Sequence, residues 1–129
     1  MNIYKFHSNP SELIGYTDRD WVFGDEAKEL ILQGKEVTKV IGDLDLDGTP
    51  ITALPDNLTV HGSLDLNGTP ITALPDNLKV GEDLYLDNTP ITSLPDNLTV
   101  GEDLYLRRTQ YLDKNNLPSS LVVKGNIIK

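Results

Sequence analysis

A unit of twenty residues is written three times in succession in this chain. The copies begin at Leu44, Leu64 and Leu84 and read LDLDGTPITALPDNLTVHGS, LDLNGTPITALPDNLKVGED and LYLDNTPITSLPDNLTVGED. Successive copies differ at five positions. A fixed period near twenty residues is the sequence mark of a solenoid, in which each coil packs only on its neighbours. Solenoids of this kind mostly bind other molecules and rarely catalyse reactions.

Each copy has the same apolar positions, namely an L-x-L pair followed by Ile, Leu, Leu and Val. In the first copy these are Leu44, Leu46, Ile51, Leu54, Leu58 and Val60. The L-x-L pair predicts a short strand with both leucines inward, and the L-x-V piece predicts a second. The T-P-I-T-x-L-P-D-N segment is too rich in Pro, Asp and Asn for a helix and predicts turns and extended chain. We expect one inward column to be formed by Leu46, Leu66, Leu86 and Leu106.

Two polar residues also recur at a fixed point of each copy. The threonines are Thr49, Thr69, Thr89 and Thr109, and the asparagines are Asn57, Asn77 and Asn97. A loop-rich coil leaves backbone groups without partners unless side chains bond to them. Both columns therefore predict hydrogen bonds between coils.

Residues 1–40 do not repeat and predict an N-terminal cap that contains helix. Asn9-Pro10-Ser11-Glu12 has the pattern of a helix start, and that helix should end near Gly15. A second helix is predicted from an N-cap at Asp25 through Gln33, with Gly34 ending it. Trp21 and Phe23 are expected between the helices as part of the cap's core. The apolar residues expected to face the first coil are Ala27, Leu30 and Ile31.

Residues 107–129 predict a modified terminal coil. About three extra residues precede Leu117, after which Leu121, Val123 and Ile127 resume the strand positions. The chain is therefore expected to form a single solenoid domain, residues 1–129. Its parts are the cap (1–40), three repeats with a partial fourth (41–106) and the modified coil (107–129).

The run ITALPDNL, with an L-x-L pair nearby and a polar residue three positions after the second leucine, resembles bacterial leucine-rich repeats. The units are similar to the twenty-residue repeats of secreted bacterial effectors, which carry LPxxL and L-x-V-x-x-N motifs. Threonine stands here in place of that family's asparagine, and Leu64 comes six positions after Leu58 rather than three. Each coil should therefore contain two strands, which makes the fold a mainly β, leucine-rich-repeat-like β-solenoid. The resemblance implies protein binding through the L-x-L face.

Acidic charge is concentrated on the repeats. Residues 41–106 carry twelve acidic residues against Lys79 alone, a net charge of −11, whereas residues 107–129 carry +4 and the whole chain −9. Such a surface repels nucleic acid and anionic membranes and favours basic partners. The chain has no cysteine, and no stretch of it approaches the eighteen apolar residues that would span a membrane. We expect no cleavable leader, since the start MNIYKFHSNP lacks a basic region followed by an apolar run. We expect a cytoplasmic protein, either of a bacterium or of a host cell if it is phage-encoded or injected.

Few residues could support catalysis or a metal ion. His7 and His61 are the only imidazoles, and no nucleophile-elbow serine or glycine-rich phosphate loop occurs. Asp43 to Gly48 match the opening of a calcium loop, but Leu54 stands where a bidentate glutamate is required. Strand alternation places these aspartates in a row about 6.7 Å apart. The expectation is a solvated acidic face on a protein that is not an enzyme and has no cofactor or metal.

The residues that alternate with the inward leucines are the leading candidates for a binding site. A coil spacing of about 4.8 Å puts Tyr85 beside Tyr105, and tyrosines amid carboxylates have the composition of a hot spot for a basic partner. The hypothesis is a non-enzymatic protein-interaction module. Its predicted binding residues are Asp43, Asp45, Asp47, Asp65, Asp83, Tyr85, Asp87, Asp103, Tyr105 and Arg107.

A second hypothesis follows from the density of charge. Residues 41–106 make about 3.3 coils, or roughly 16 Å of stack. Eleven net charges over that length give one per about 1.5 Å, close to the one per ~1.7 Å of duplex DNA. The alternative function is therefore an acidic DNA mimic that inhibits a nucleic-acid-binding defence protein, as phage anti-restriction or anti-CRISPR proteins do.

Overall fold

The structure is a computed structural model that describes residues 21–129. These residues form a mainly β solenoid with parallel sheets and one short helix at its N-terminal side. The helix predicted near Asn9 to Gly15, and His7, lie outside the described residues. Across residues 21–129, no helix has the length and apolar character needed to span a membrane.

Eleven short strands and one helix make up the described chain. The helix α1 is Gly24–Leu32. The strands are β1 (Trp21–Phe23), β2 (Lys39–Ile41), β3 (Leu44–Asp45), β4 (Thr59–Val60), β5 (Leu64–Asp65), β6 (Lys79–Val80), β7 (Leu84–Tyr85), β8 (Thr99–Val100), β9 (Leu104–Tyr105), β10 (Val122–Val123) and β11 (Ile127–Ile128).

The strands form two parallel sheets. One sheet has the order β1-β2-β4-β6-β8-β10, and the other has β3-β5-β7-β9-β11. Neighbours in the repeats pair twenty residues apart, as in Val60 with Val80 and Leu64 with Leu84. Each coil therefore contributes one strand to each sheet, which confirms the prediction drawn from the long spacing between Leu58 and Leu64.

The terminal coil keeps this alignment in spite of its insertion. Val123 pairs with Val100, and Ile127 pairs with Leu104, so both offsets are twenty-three residues. The three extra residues are therefore absorbed in the chain before Leu121. This confirms the predicted return to the strand positions.

The core is a stack of leucine, isoleucine and valine columns inside the coils. The predicted inward column is fully buried, with no exposed surface on Leu46, Leu66, Leu86 or Leu106. Because successive repeats place the same side chain at each inward position, the buried residues of the middle coils pack against their equivalents in the coils on either side. The core is consequently continuous along the solenoid axis.

Left-handed backbone makes the corners of the coil. The corner after each L-x-L strand has φ near +65° and is occupied by Gly48, Gly68, Asn88 and Arg108. The asparagines of the P-D-N segments have φ between 59° and 63°. Glycine and asparagine adopt this conformation at little energetic cost, which explains why both recur at these points. The Asn97 amide also donates to the Asn77 side-chain oxygen at 3.1 Å, so this pair makes the predicted contact between coils.

The threonine column bonds differently from the prediction. Each Thr49, Thr69, Thr89 and Thr109 hydroxyl donates to the carbonyl of the leucine three residues earlier, at 2.6–2.8 Å. The bonds therefore close a turn within one coil and do not join neighbouring coils. Sequence spacing alone cannot separate the two cases, because a threonine hydroxyl can bond to a carbonyl of its own turn as well as to one in another segment.

The cap differs from the prediction at its start and agrees at its end. Trp21 and Phe23 lie in β1, which pairs with β2. Because 42% of the Phe23 surface is exposed, the prediction that this residue belongs to the core of the cap is wrong. The helix begins at Gly24 with Phe23 as N-cap, and Asp25 lies in its first turn. The strand runs straight into the helix, which leaves no room for Asp25 to cap it. Gly34, with φ of 79°, follows the helix end as predicted.

The helix packs on the first coil through the residues that the sequence indicated. Ala27 and Ile31 are buried in the common core, and Leu30 packs partly buried against it. Gly24 lies so close to the Asp43 carbonyl that a Cβ would collide with it. The contact sets the start of the helix directly beside β3, and closes the core at that end.

Candidate interaction surface on the second sheet

In each coil, three residues alternate with the two buried leucines of the L-x-L pair. These residues, taken from the coils that contain β3, β5, β7 and β9, form one face, called here the strand face. It has three columns that run along the solenoid axis. The leading column is Asp43, Ser63, Asp83 and Asp103; the central column is Asp45, Asp65, Tyr85 and Tyr105; the trailing column is Asp47, Asn67, Asp87 and Arg107. All ten binding residues predicted from the sequence lie on this face. Their position there is the one feature that all ten share.

The central column changes character along the axis. Asp45 is opposite Asp65, Asp65 opposite Tyr85, Tyr85 opposite Tyr105, and Tyr105 opposite Ile128. The two tyrosine rings are stacked, with centroids 4.7 Å apart and planes inclined by 13°. The predicted adjacency of the tyrosines is therefore confirmed. Two carboxylates occupy one end of the column, and an aromatic pair followed by an aliphatic side chain occupies the other.

The tyrosine hydroxyls lie among carboxylates. Partial burial raises the pKa of the Tyr85 phenol above its ordinary value of 10.0, and the Asp83 carboxylate raises it further. Burial likewise raises the pKa of Tyr105, reinforced by Asp83 and Asp103. Tyr85 donates its hydroxyl proton to Asp83 at 3.3 Å. Both phenols are consequently protonated at neutral pH and serve as hydrogen-bond donors.

The leading column is a series of hydrogen bonds from each coil to the next, which was not among the features predicted from the sequence. The Asp43 carboxylate accepts the backbone N–H of Ser63 at 2.8 Å, and the Ser63 hydroxyl accepts that of Asp83 at 3.2 Å. Asp83 in turn accepts the N–H of Asp103 at 2.9 Å, and Asp103 accepts that of Asn126 at 2.8 Å. Each side chain thus bonds to the next coil. The signal was available, since this position is always a residue with a short side-chain oxygen.

The trailing column repeats the device. Asn67 accepts the backbone N–H of Asp87 at 2.8 Å, and Asp87 accepts that of Arg107 at 2.7 Å. In the central column, Asp45 and Asp65 accept the N–H two residues ahead at 3.1 and 3.0 Å. The expectation of a freely solvated acidic face is therefore wrong in detail. Most of these carboxylates are held by the backbone, and four of them are half-buried.

Arg107 is the single basic residue among the twelve strand-face positions. Its Nε lies 3.6 Å from the Asp87 carboxylate, and its guanidinium carbon lies 5.6 Å from the centre of the Tyr105 ring. More than half of the side chain, 57%, remains exposed. The face thus already holds one guanidinium between an aromatic ring and a carboxylate.

Three carboxylates of the first two coils converge. Oxygen atoms of Asp45, Asp47 and Asp65 all lie within 4.8 Å of one another. The expectation of aspartates about 6.7 Å apart in one row is wrong here, because strand spacing fixes backbone positions and not carboxylate oxygens. It also left out Asp65, which the neighbouring coil supplies. Burial raises the pKa of the Asp65 carboxyl above its ordinary value of 3.8, and the negative charges of Asp47 and Asp45 raise it further. The hydrogen bond from the Asn67 N–H opposes this shift by lowering the pKa. Exposed acids commonly gather in this way, and the cluster by itself indicates no metal ion.

Asp65→Asn is expected to stabilise the protein by about 0.5 kcal/mol at neutral pH, since it removes the like charge opposite Asp45. Asparagine keeps an oxygen that can accept the Asn67 N–H. Because the pKa of Asp65 is higher in the folded protein than in the unfolded chain, the ionised carboxylate destabilises the native state. This destabilisation is present at a pH above the folded-state pKa and vanishes below 3.8, where the carboxyl is protonated in both states. Urea denaturation of the unaltered protein and of the variant at pH 7 and pH 3 measures the gain in stability and its dependence on pH.

The matched control for that change is Asp76→Asn, on an exposed residue of the second P-D-N segment. It should alter stability much less, and the gain from Asp65→Asn should shrink in high salt. A gain at pH 3 equal to that at pH 7 would contradict the electrostatic explanation.

The first sheet presents a different surface. The Trp21 ring meets His61 edge to face with centroids 5.9 Å apart, and the Lys39 Nζ lies 5.8 Å from the centre of the same ring. These contacts are not among those predicted from the sequence, because Trp21 and His61 are forty residues apart and belong to different coils. His61 therefore packs against an aromatic side chain on the sheet opposite to the strand face.

The comparisons with known proteins assign no site. The likeness to bacterial leucine-rich repeats rests on the L-x-L and LPxxL spacing, and it stays a prediction. No family model, curated protein or solved structure matches the chain.

Proposed function

We propose that this protein is a non-enzymatic interaction module that binds a partner protein with a basic surface through the strand face. The observation that carries the proposal is the stacked Tyr85–Tyr105 pair, 4.7 Å between centroids, set among carboxylates. Tyrosine supplies a large contact area and a polar hydroxyl, and is enriched at the centres of interfaces.

The rigidity of the face supports this function. Asp83, Asp87 and Asp103 are each bonded to the backbone of the next coil, and the tyrosines lie on paired strands. A partner that binds there has little side-chain freedom to remove, so less of the contact energy is lost in ordering the surface. The face is therefore suited to recognition by shape and charge.

The electrostatics favour a basic protein. The net charge of −11 over residues 41–106 attracts a positively charged partner from a distance and repels nucleic acid and anionic lipid. Direct nucleic-acid binding and binding to an anionic membrane are accordingly not part of the proposal. A cytoplasmic location, in a bacterium or in a host cell, is consistent with the chain's lack of cysteine.

The alternative proposal is an acidic DNA mimic that inhibits a nucleic-acid-binding defence protein of the anti-restriction or anti-CRISPR type, with a phage origin. Its support is the density of negative charge along the repeats. This alternative requires the affinity for the partner to depend on the total charge of the protein. That charge includes Asp56, Asp76 and Asp96, which are exposed in the P-D-N segments away from the strand face. The tyrosine pair has no particular role under this alternative.

Tyr85→Ala and Tyr105→Ala are each expected to reduce affinity for the partner by about 2 kcal/mol, or about thirtyfold. The partner is first captured from a bacterial lysate with the unaltered protein, and dissociation constants are then measured by calorimetry. Tyr111→Ala is the matched control, since 62% of that side chain is exposed and it lies outside the strand face. It should leave affinity unchanged.

A triple Asp56→Asn, Asp76→Asn, Asp96→Asn variant separates the two proposals when measured at two ionic strengths. Under the tyrosine proposal these peripheral charges change mainly the association rate. Under the DNA-mimic alternative the triple variant binds much more weakly, and salt weakens binding steeply. Indifference of the partner to both the tyrosine and the aspartate changes would remove both proposals and direct attention to the cap around Trp21 and Asp25.

A further inference from the structure

We propose that the strand face selects arginine over lysine in its partner, with one guanidinium lying against the free face of the Tyr85 ring and bonding to the Asp65 carboxylate. This inference rests on the proposed function and specifies the chemical group that the face recognises. Three features of the central column support it.

The first feature is a face of the Tyr85 ring against which no aromatic ring of residues 21–129 stacks. Tyr85 stacks on Tyr105 on one side, with planes inclined by only 13°. In the sheet order β5-β7-β9, the opposite side of Tyr85 faces β5, where its register partner is Asp65. Aspartate is much shorter than tyrosine, so the ring stands above the carboxylate. A planar group can therefore lie over Asp65 and against the ring.

The second feature is unbalanced negative charge at that point. Asp65 lies within 4.8 Å of carboxylate oxygens of Asp45 and Asp47. The single basic residue of the strand face, Arg107, is on the fourth coil, beyond Tyr85 and Tyr105. A cation over Asp65 would relieve the repulsion that three close carboxylates create.

The third feature is that the chain already shows the arrangement once. The Arg107 guanidinium lies 5.6 Å from the centre of the Tyr105 ring, and its Nε lies 3.6 Å from the Asp87 carboxylate. Ring and carboxylate come from adjacent coils there, as do Tyr85 and Asp65. Asp65 lies in the central column directly opposite Tyr85, whereas Asp87 lies in the trailing column, so the two places share a ring and a carboxylate of adjacent coils but not their exact arrangement. The Arg107 contact thus shows that a guanidinium on this face can meet both groups at once.

Arginine fits such a place better than lysine for physical reasons. The guanidinium is planar, so it stacks on an aromatic ring while its N–H groups point at a carboxylate. It is also more weakly hydrated than an ammonium group, so less water has to be removed. A lysine gains the charge attraction but not the stacking.

The test compares acetylated hexaarginine and hexalysine amides, which carry the same charge, by calorimetry at one ionic strength. Hexaarginine is expected to bind about fivefold more tightly, the ratio that a cation–π contact of roughly 1 kcal/mol gives. Tyr85→Leu should remove this preference while Tyr85→Phe keeps it, because phenylalanine retains the ring face. Equal binding of the two peptides, or a preference that survives Tyr85→Leu, would overturn the inference.

Asp65→Asn supplies an independent variant if Tyr85→Leu does not fold. Asparagine retains an acceptor for the Asn67 N–H but not the charge, so the charge-assisted N–H bonds that hold a guanidinium against the ring weaken, and the ratio of hexaarginine to hexalysine affinity should fall toward one. An undiminished preference would count against the inference. The proposed function fails separately, when the captured partner binds the Tyr85→Ala variant normally, whereas this inference fails when partner binding needs Tyr85 but the two peptides bind alike.

Discussion

Leu66→Ala is expected to lower the free energy of unfolding by about 3 kcal/mol. Leu66 has no exposed surface and lies in the middle of the inward column, with Leu46 and Leu86 in the adjacent coils. The coils on either side are fixed to this one by strand pairing in both sheets, so they cannot close the space that the lost isopropyl group leaves. Urea denaturation followed by circular dichroism measures the loss.

Leu32→Ala is the matched control, because it makes the same chemical change at a leucine that is 41% exposed on α1. Its effect should be below about 1 kcal/mol. If Leu66→Ala were as mild as this control, the inward column would not be the core of the solenoid.

Gly101→Ala is expected to destabilise the protein by about 3 kcal/mol or more. A Cβ at this position would collide with the carbonyl oxygen of Gly81 in the preceding coil. That oxygen belongs to backbone at a corner of the coil, so it cannot swing aside as a flexible side chain could. The coils would have to separate at this corner, close to where Gly101 donates its N–H to the Val80 carbonyl at 2.9 Å.

Glu102→Ala tests whether any change at this corner is harmful. Glu102 is exposed, and alanine preserves the backbone N–H that bonds to the Glu82 carbonyl at 3.0 Å. Its effect on thermal unfolding should be small. A Gly101→Ala protein that melts at the same temperature as the Glu102→Ala protein would show that the coils tolerate more separation than the structure indicates.

The solenoid and its registers could be read from the repeat, because period and inward pattern together leave few arrangements. Once Leu44 and Leu64 occupy the same place in successive coils, the stacking of Tyr85 on Tyr105 follows from position alone. The separation between Leu58 and Leu64 similarly required a second strand in each coil. These inferences depend on chain geometry, which a periodic sequence specifies directly.

Hydrogen-bond partners were harder to predict, since a pattern shows which side a residue faces but not which group it reaches. Thr69 could bond within its coil or to the next one, and only the structure shows that its hydroxyl donates to the Leu66 carbonyl. Asp83 and Asp103 were expected to be solvated, but each accepts an N–H from the following coil. A carboxylate that steadies the backbone and one that only carries charge look the same in a sequence.

The near identity of the coils creates an ambiguity during folding. A strand such as β7 presents almost the same inward side chains as β5, so pairing β7 directly with β3 would skip one coil and still bury leucine on leucine. Alignments displaced by one repeat, or shared between two chains, thus compete with the native one. The features that break the degeneracy are few: the helix beside β3, the three-residue insertion, and the change from Asp65 to Tyr85. The Tyr85–Tyr105 contact therefore favours the native pairing of the third coil with the fourth. Misaligned proteins and dimers that exchange coils should accumulate in variants that lack this contact.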